Sequence, residues 1–437
     1  MSNMDSKLSD YFLDAAHPIR IQGNIIEANL PATSIGELCD IYRSLNDSVW
    51  VGNAVVIGFN EKTTILSLLC ECTGFSQQHL LVPTGKSFEI SLSEELSGCI
   101  VNSLGVVVGR LDGREPEALR GVEKRDVNQH AVNVSERRTI SERLTTGVRA
   151  IDGLLTCGQG QRIGIFAAAG CGKTSLMNML IEHAEADIYV IGLIGERGRE
   201  VTEFIEHLQN SAQRERTILV YATSDSSSVE RCNAAAVATS IAEFFRDRGK
   251  NVVLFIDSVT RYARALRDVA LSMGELPARR GYPASVFEML PSLLERPGCT
   301  RHGVITAFYT VLLENEEEPD VIGEEVRSIL DGHIYLRKSL AAREHYPAID
   351  VLNSLSRLFP KVTDREHQHL AQRFRELMAC QQELQMLIDL GEYRPGLNKK
   401  NDFAVEKKLA MENFLRQQPD EFDDFFTMQN KLKESVS

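Results

Sequence analysis

The chain has 437 residues, of which 43% are hydrophobic and 25% charged, and its formal net charge at pH 7 is −13. This composition is typical of a folded globular protein, the length predicts two or three domains, and the acidic balance disfavours a protein that coats nucleic acid. The sequence lacks a run of about 18 uncharged apolar residues that would predict a membrane span. Residues 1–14 lack the segments of a signal peptide, and the nine irregularly spaced cysteines predict reduced thiols.

The N-terminal part of the chain alternates apolar and polar residues in short runs from Ile19 to about Leu92. Turn residues separate these runs, which predicts a small β-barrel or sandwich over residues 1–92. The glycine-punctuated stretch Gly98–Gly113 and the polar stretch Arg114–Arg143 predict a linker region that wraps the next domain.

The middle of the chain has a different periodicity. From Arg149 onward, apolar runs with the length of buried strands alternate with helical patterns. This alternation predicts an α/β fold over residues 93–360, with a mainly parallel sheet covered by helices on both faces. From Arg365 apolar residues recur every three or four positions, which predicts a C-terminal helical domain over residues 361–437.

The stretch Gly164–Ser175, called the phosphate-loop segment below, reads G-I-F-A-A-A-G-C-G-K-T-S. An apolar strand enters a small-residue loop, and a helical pattern follows directly. Backbone N–H groups of such a loop bind phosphates, the lysine reaches the β/γ oxygens and the threonine hydroxyl reaches Mg²⁺. We therefore predict nucleotide binding by Gly170, Cys171, Gly172, Lys173, Thr174 and Ser175. The strict motif has glycine where this chain has Ala167.

Charged residues follow two other apolar runs. Asp257 ends the run Val252–Ile256 in the pattern of a Walker B acid, although an aspartate that caps the next helix would look similar. Glu196 and Arg197 follow the run Ile188–Ile194. Glu196 could polarise a water molecule and Arg197 could pair with phosphate, whereas the alternative is a solvated helical turn with local ion pairs.

Four blocks in this order resemble the type III protein-secretion ATPases, which are relatives of the catalytic subunit of rotary ATP synthases. The blocks are the phosphate-loop segment, Gly195–Glu200, Val252–Tyr262 and Tyr346–Arg357. The resemblance is strongest from about Gly147 to Arg357. It implies a RecA-like P-loop ATPase domain, an N-terminal β-barrel that assembles a homohexamer, and a C-terminal helical domain that faces export substrates.

The resemblance also implies roles for single residues around the phosphates. Glu196 corresponds to the catalytic carboxylate that orients the attacking water, and Arg197 lies near the γ-phosphate. Glu200 supports the water shell of the metal, for which Asp257 is the Walker B acid. Arg261 is a second arginine that faces the phosphates.

Two further residues extend this implied site. Tyr346 corresponds to an aromatic residue that stacks on adenine. Arg357 corresponds to an arginine finger that enters the neighbouring subunit's site, so a monomer would not complete its own active site.

The resemblance implies an enzyme that hydrolyses ATP with Mg²⁺, releases chaperones from secreted proteins and unfolds those proteins for export. It would be cytoplasmic and peripheral at the bacterial inner membrane. Its implied partners are stator and central-stalk proteins, effector–chaperone complexes and the membrane export gate, with no nucleic acid.

Three alternatives remain beside this reading. A flagellar export ATPase belongs to the same family, although Thr156-Cys157-Gly158 favours the injectisome branch. A non-catalytic nucleotide-binding subunit of a rotary-type ring typically lacks the carboxylate that this chain has as Glu196. A hexameric RNA or DNA translocase is disfavoured by the acidic charge and by the absence of an aromatic and basic stacking platform.

Overall fold

The computed structural model describes residues 15–44, 47–60, 63–69, 74–315 and 320–437. The prediction for residues 1–14 therefore lies outside the described residues. None of the helices within these ranges combines the length and the apolarity that a bilayer crossing requires.

The N-terminal strands form a closed antiparallel sheet, as the alternating pattern predicts. Its spatial order is β1-β2-β5-β4-β3-β6. Ala16, just before the first strand, exchanges two backbone hydrogen bonds of 3.0 and 2.9 Å with Leu81 in the last strand. This bridge closes the barrel, so the strands within the described ranges have no long free edge. The strands are β1 (Pro18–Gln22), β2 (Ile25–Ala28), β3 (Glu37–Ser44), β4 (Asp47–Asn60), β5 (Thr63–Leu68) and β6 (Leu80–Ser87).

The remaining strands belong mainly to one large sheet in the middle of the chain. They are β7 (Glu89–Leu92), β8 (Cys99–Val101), β9 (Val107–Arg110), β10 (Glu123–Asp126), β11 (Arg143–Leu144), β12 (Cys157–Gly158), β13 (Arg162–Ala167), β14 (Ile188–Glu196), β15 (Thr217–Thr223), β16 (Asn251–Asp257), β17 (Gly298–Cys299), β18 (Val304–Leu312), β19 (Gly332–Leu336) and β20 (Ile349–Ser356).

The large sheet has the order β20-β19-β13-β18-β16-β14-β15-β8-β9, with β17 added beside β18. From β19 to β8 the neighbouring strands are parallel, while β20 and β9 pair antiparallel at the two edges. The inner strands are apolar on both faces because helices cover both of them. The sheet therefore brings the carboxyl ends of β13, β14 and β16 to one edge of the fold.

Helices pack on both faces of this sheet, as predicted. On one face Met177 and Leu180 join Phe255 and Phe374 in a common core, and on the other Ala238 packs against the alternate residues of the same strands. The helices are Arg149–Leu154, Lys173–His183, Gly198–Asn210, Ser228–Arg246, Val259–Ser272, Ala284–Leu294, Val321–Ile329, Lys338–Ala341, Phe359–Val362, Arg365–Asp389, Lys399–Leu415 and Phe425–Val436.

The C-terminal helices confirm the prediction of a helical region after Arg365. They dock on the α/β fold through Arg149, which is only 4% exposed. Its guanidinium donates to Asp423 at 2.8 Å and to Glu421. Burying a charge requires such pairing, so these contacts fix the C-terminal helices to the start of the α/β fold.

The interpretation of Gly98–Gly113 and Arg114–Arg143 as a linker region is wrong in two places. Strand β8 is buried beside β15 and carries β9 at the edge of the large sheet, and β10 pairs with β7. The apolar run Cys99–Val101 is only three residues long, and Gly98 and Gly105 with positive φ flank it. A strand of three residues is too short to show hydrophobic periodicity in the sequence. Its stability comes from the edge of the sheet that it joins.

Candidate functional site

The phosphate-loop segment connects β13 to the helix Lys173–His183, the predicted strand–loop–helix arrangement. Gly170 and Gly172 have φ of 82° and 80°, a region that glycine adopts without strain. A Cβ atom on Gly172 would lie 2.9 Å from Cε1 of Tyr346, so this position also excludes side chains sterically. The loop thus exposes backbone N–H groups at a helix N-terminus, the arrangement that binds phosphate.

Ala167, the departure from the strict motif, is fully buried at the end of β13. It still pairs within the sheet, opposite Leu312 on one side and Leu336 on the other. An extended strand residue does not require glycine. The substitution is therefore compatible with the loop that follows.

Three charged side chains meet at the carboxyl ends of the strands. The Nζ atom of Lys173 lies 2.5 Å from Oδ1 of Asp257 and 3.5 Å from Oε1 of Glu196. Asp257 ends β16 and is 5% exposed, and Glu196 ends β14 and is 6% exposed. The sequence predicted all three residues, and the parallel sheet brings them together because their strands end at the same edge.

Arg261 pairs with the carboxylate oxygen of Glu196 that Lys173 does not contact. Its Nη2 atom lies 3.0 Å from Oε2 of Glu196, and its Nη1 group donates to the carbonyl of Gly195. It is placed in the first turn of the helix Val259–Ser272, where the Ser258 hydroxyl caps its backbone N–H at 3.3 Å. Arg261 thus lies beside the predicted catalytic carboxylate and at the same edge of the sheet as the phosphate-loop segment.

Arg231 is a neighbour of this site that sequence reasoning missed. Its Cδ atom would lie 3.3 Å from a Cβ atom built on Gly195, and its guanidinium donates to the Ser228 hydroxyl at 2.9 Å. The arginine lies in the first turn of the helix Ser228–Arg246, which begins with a capping box between Ser227 and Glu230. The capping pattern could have located this helix start, but no local signal shows that Arg231 lies beside Gly195.

Burial raises the pKa of Glu196 to about 7, and the neighbouring charge of Asp257 adds to this effect. Lys173 and Arg261 act in the opposite direction. A hydrogen bond with Glu196 holds the pKa of Glu200 below its ordinary value. Glu196 therefore exchanges its proton near neutral pH in the nucleotide-free chain, the range in which a general base works best.

The other residues predicted around the phosphates lie nearer to solvent. Thr174 and Ser175 are exposed in the first turn of their helix, and Arg197 is exposed directly after β14. Glu200 is half-buried and lies 3.8 Å from the Arg197 guanidinium. These side chains surround the Lys173 cluster and remain accessible to a ligand.

Cys171 differs from its neighbours because it is buried, with 1% of its surface exposed. Its side chain belongs to the apolar core under the loop, together with Leu176 and Ile165. Any contribution of Cys171 to nucleotide binding would therefore come from its backbone.

Tyr346 connects the phosphate-loop segment to the C-terminal helices. Its ring lies over Gly172, and its carbonyl accepts a hydrogen bond of 2.9 Å from the backbone N–H of Gln417. The side chain of Gln417 is buried, donates to the carbonyl of Gly147 at 2.7 Å and accepts from the N–H of Arg149 at 2.8 Å. Sequence reasoning missed Gln417 because nothing in the helical pattern marks it.

Arg357 is not part of this cluster. It follows β20, and its backbone N–H donates to the carbonyl of Asp331 at 3.0 Å. Ser356 lies opposite Gly332, which lies opposite Ile163, so Arg357 is at the amino end of β13. The loop begins after Ala167, four residues or about 13 Å further along that strand. Arg357 is exposed and forms no ion pair with any described residue.

The residues present fit a nucleotide with Mg²⁺. The described residues contain no group of three His, Cys, Asp or Glu side chains that could hold a metal ion without other ligands. Mg²⁺ in phosphoryl-transfer sites needs only one or two carboxylates, with phosphate oxygens and water as the other ligands. The accessible hydroxyl of Thr174 and the carboxylate of Asp257 meet that requirement. Oε1 of Glu196 accepts no hydrogen bond from any described residue and lies 3.5 Å from Nζ of Lys173, so its acceptor capacity is unused.

Comparisons with known proteins agree with this geometry. Residues 147–356 match the model of the ATP synthase alpha/beta family, nucleotide-binding domain, and residues 363–434 match that of the T3SS EscN ATPase C-terminal domain. The chain is similar to the SPI-1 type 3 secretion system ATPase of Salmonella typhi, with 54% identity over 418 residues, 95% of this chain and 96% of the relative.

Two further comparisons extend this likeness. The flagellum-specific ATP synthase of Bacillus subtilis is 43% identical over 403 residues, 92% of this chain and 90% of that relative. The assembled ATPase EscN from the enteropathogenic E. coli type III secretion system superposes with a TM-score of 0.89 at 40% identity, covering 97% of this chain and 100% of that one.

A Glu196→Gln substitution is expected to stabilise the nucleotide-free chain more strongly at pH 8 than at pH 5.5. The pKa of Glu196 is about 7 in the folded chain and near 4.5 when unfolded, so its contribution to stability falls as pH rises through that window and stays low above it. Glutamine does not ionise, so the free energy of unfolding of the variant should exceed that of the wild-type chain by about 1–3 kcal/mol at pH 8. Urea denaturation at the two pH values measures the difference.

The matched control is Glu203→Gln, because Glu203 is exposed on the next helix and, among the described residues, its one ion pair is with Arg199 at 3.2 Å. It should show no pH-dependent gain. A gain for Glu196→Gln that is equal at both pH values would contradict the raised pKa.

Proposed function

The chain belongs to the type 3 secretion system ATPases, a branch of the ATP synthase alpha/beta family, and we propose that the residues of its charged cluster hydrolyse ATP and that this hydrolysis drives protein secretion. The observation that carries the proposal is the meeting of Lys173, Asp257 and Glu196 at the edge where the phosphate loop begins. Phosphoryl transfer to water requires an ammonium for the phosphates, an acid for the metal and a base for the water. Lys173, Asp257 and Glu196, whose pKa is about 7, are groups of these three kinds.

The phosphates bind to the backbone N–H groups from Gly170 to Thr174 and to the ammonium of Lys173. In the nucleotide-free chain this ammonium pairs with Asp257, so substrate binding exchanges a carboxylate partner for a phosphate. Thr174 and Asp257 would hold Mg²⁺, with Glu200 supporting its water shell, and the ion would neutralise charge on the phosphate oxygens. Tyr346 would stack on adenine, since its ring already covers Gly172.

Glu196 orients the attacking water and accepts its proton. Its pKa near 7 makes the ionised form available at neutral pH while leaving it basic enough to take a proton. Arg261 fixes one oxygen of this carboxylate at 3.0 Å, and the other lies 3.5 Å from Nζ of Lys173 without a hydrogen bond from the described residues. The presence of Glu196 in this position disfavours a non-catalytic nucleotide-binding subunit.

Arg357 acts in the site of a neighbouring copy of the chain. Its place at the amino end of β13 keeps it away from its own phosphate loop, and its guanidinium has no ion pair among the described residues. An exposed arginine of this kind is free to stabilise the transition state across a subunit boundary. We therefore propose a ring, as a homohexamer, in which each active site is completed by the next subunit.

The partners follow from the same family membership. One solved relative is an assembled ATPase EscN in complex with its central stalk EscO, which supports a central-stalk partner here. The C-terminal helices expose apolar side chains such as Met386, Leu390 and Leu409, which supports contact with effector–chaperone complexes. We place the protein in the cytoplasm, peripheral at the inner membrane and in contact with stator proteins and the export gate. Greater identity to the SPI-1 relative than to the flagellar one favours the injectisome branch.

Lys173→Ala and Glu196→Gln are each expected to lower ATP turnover by at least about 100-fold. Glu196→Gln should still bind a fluorescent ADP analogue, because the lost group acts on the water and not on the nucleotide. Phosphate release measures turnover, and Glu203→Gln serves as the matched control with unchanged rate. Undiminished turnover in Glu196→Gln would remove Glu196 from the catalytic role.

Arg357→Ala is expected to reduce turnover by about 10³-fold or more in assembled protein. Mixing it with Lys173→Ala should restore activity, with a maximum at intermediate ratios, since one variant keeps a complete loop and the other a complete arginine. Mass photometry follows assembly in parallel, and the exposed Arg365, changed to Ala, is the control. If rings form and no mixture turns over ATP, the role of Arg357 between subunits is wrong.

A further inference from the structure

Thr310 lies between the two strands that carry the phosphate loop and the Walker B acid. It is in β18, which pairs with β13 on one side and with β16 on the other. The register places Thr310 opposite Ile165 and one residue beyond the Ile256–Tyr309 pair, beside Asp257. Its side chain is fully buried on the face that also holds the core under the loop.

The hydroxyl of Thr310 donates to Oδ1 of Asp257 at 2.6 Å and lies 3.4 Å from the carbonyl of Ile256. The same Oδ1 atom accepts from Nζ of Lys173 at 2.5 Å. Both hydrogen bonds that reach this carboxylate from described residues therefore end on one oxygen. The other oxygen, Oδ2, is left for a ligand.

We propose that Thr310 is a positioning residue that keeps the Asp257 carboxylate in its orientation when Lys173 moves to the phosphates. This inference rests on the proposed function of Lys173. In the proposed function the Lys173 ammonium, which lies 2.5 Å from Asp257 in the nucleotide-free chain, turns to the β/γ oxygens, so Oδ1 loses one of its two donors on substrate binding. The buried hydroxyl is the donor that stays, and it prevents the carboxylate from rotating toward the departing lysine.

This role differs from that of the other buried threonine of the same strand. Thr306 is equally inaccessible, and its hydroxyl accepts a hydrogen bond of 2.8 Å from the N–H of Gly160. That contact lies toward the amino end of β18, away from the charged cluster. Thr306 is therefore a matched reference for the structural effect of losing a buried hydroxyl from this strand.

The test compares Thr310→Val, Thr310→Ser and Thr306→Val in the full chain. Valine keeps the shape of threonine and removes the donor, so Thr310→Val should lower the turnover number about 10- to 100-fold, as expected for a lost hydrogen bond to a charged group. It should also raise the Mg²⁺ concentration for half-maximal turnover. Binding of a fluorescent ADP analogue should be unchanged in EDTA but should lose the tightening that Mg²⁺ gives the wild-type chain.

Serine keeps the hydroxyl, so Thr310→Ser should restore both the Mg²⁺ dependence and most of the turnover. Thr306→Val should lower the melting temperature and leave the Mg²⁺ dependence as in the wild-type chain. The inference is overturned if Thr310→Val has the wild-type Mg²⁺ dependence in binding, or if Thr306→Val shifts it equally. Absence of turnover in the wild-type chain would instead count against the proposed function.

Discussion

The ammonium of Lys173 stabilises two buried carboxylates that would otherwise repel each other. Asp257 and Glu196 are both almost fully withdrawn from water, and Lys173 lies within 3.5 Å of each. Ion pairs in such surroundings offset a large desolvation cost only when their geometry is good. In the nucleotide-free site the Lys173 ammonium therefore offsets part of the charge of both carboxylates. The raised pKa of Glu196 shows that the compensation is incomplete.

The sheet register is what makes this cluster possible. Along β16, Val253 and Phe255 face the core under the loop, while Leu254 and Ile256 face the opposite side. A shift of one residue would move Asp257 to the other face of the sheet, away from Lys173. The apolar residues that bury the inner strands thus position the charged cluster at the strand ends.

The sequence predicts those parts of the site that lie at strand ends. Lys173, Glu196 and Asp257 each follow an apolar run, and parallel strands place their carboxyl ends side by side. Arg231, Gln417 and Thr310 could not be found in this way. Arg231 and Gln417 come from helix ends, and Thr310 lies inside an apolar strand, so their contacts depend on tertiary packing that leaves no local periodicity. The same limit explains β8, whose three residues become a strand only at the edge of a sheet that other residues form.

Two further residues of the proposed site, Tyr346 and Arg357, lie outside the carboxyl ends of β13, β14 and β16. Tyr346, the proposed adenine contact, is held through its carbonyl by Gln417, which also binds Gly147 and Arg149. Breaking a buried pair such as Arg149 with Asp423 would leave an uncompensated charge, so this connection resists separation. The adenine side is therefore tied to the C-terminal helices, which also expose the apolar side chains proposed to meet export substrates. On the phosphate side, the chain's own Arg357 lies at the amino end of β13, away from the phosphate loop, which is why the proposed site is completed by another subunit.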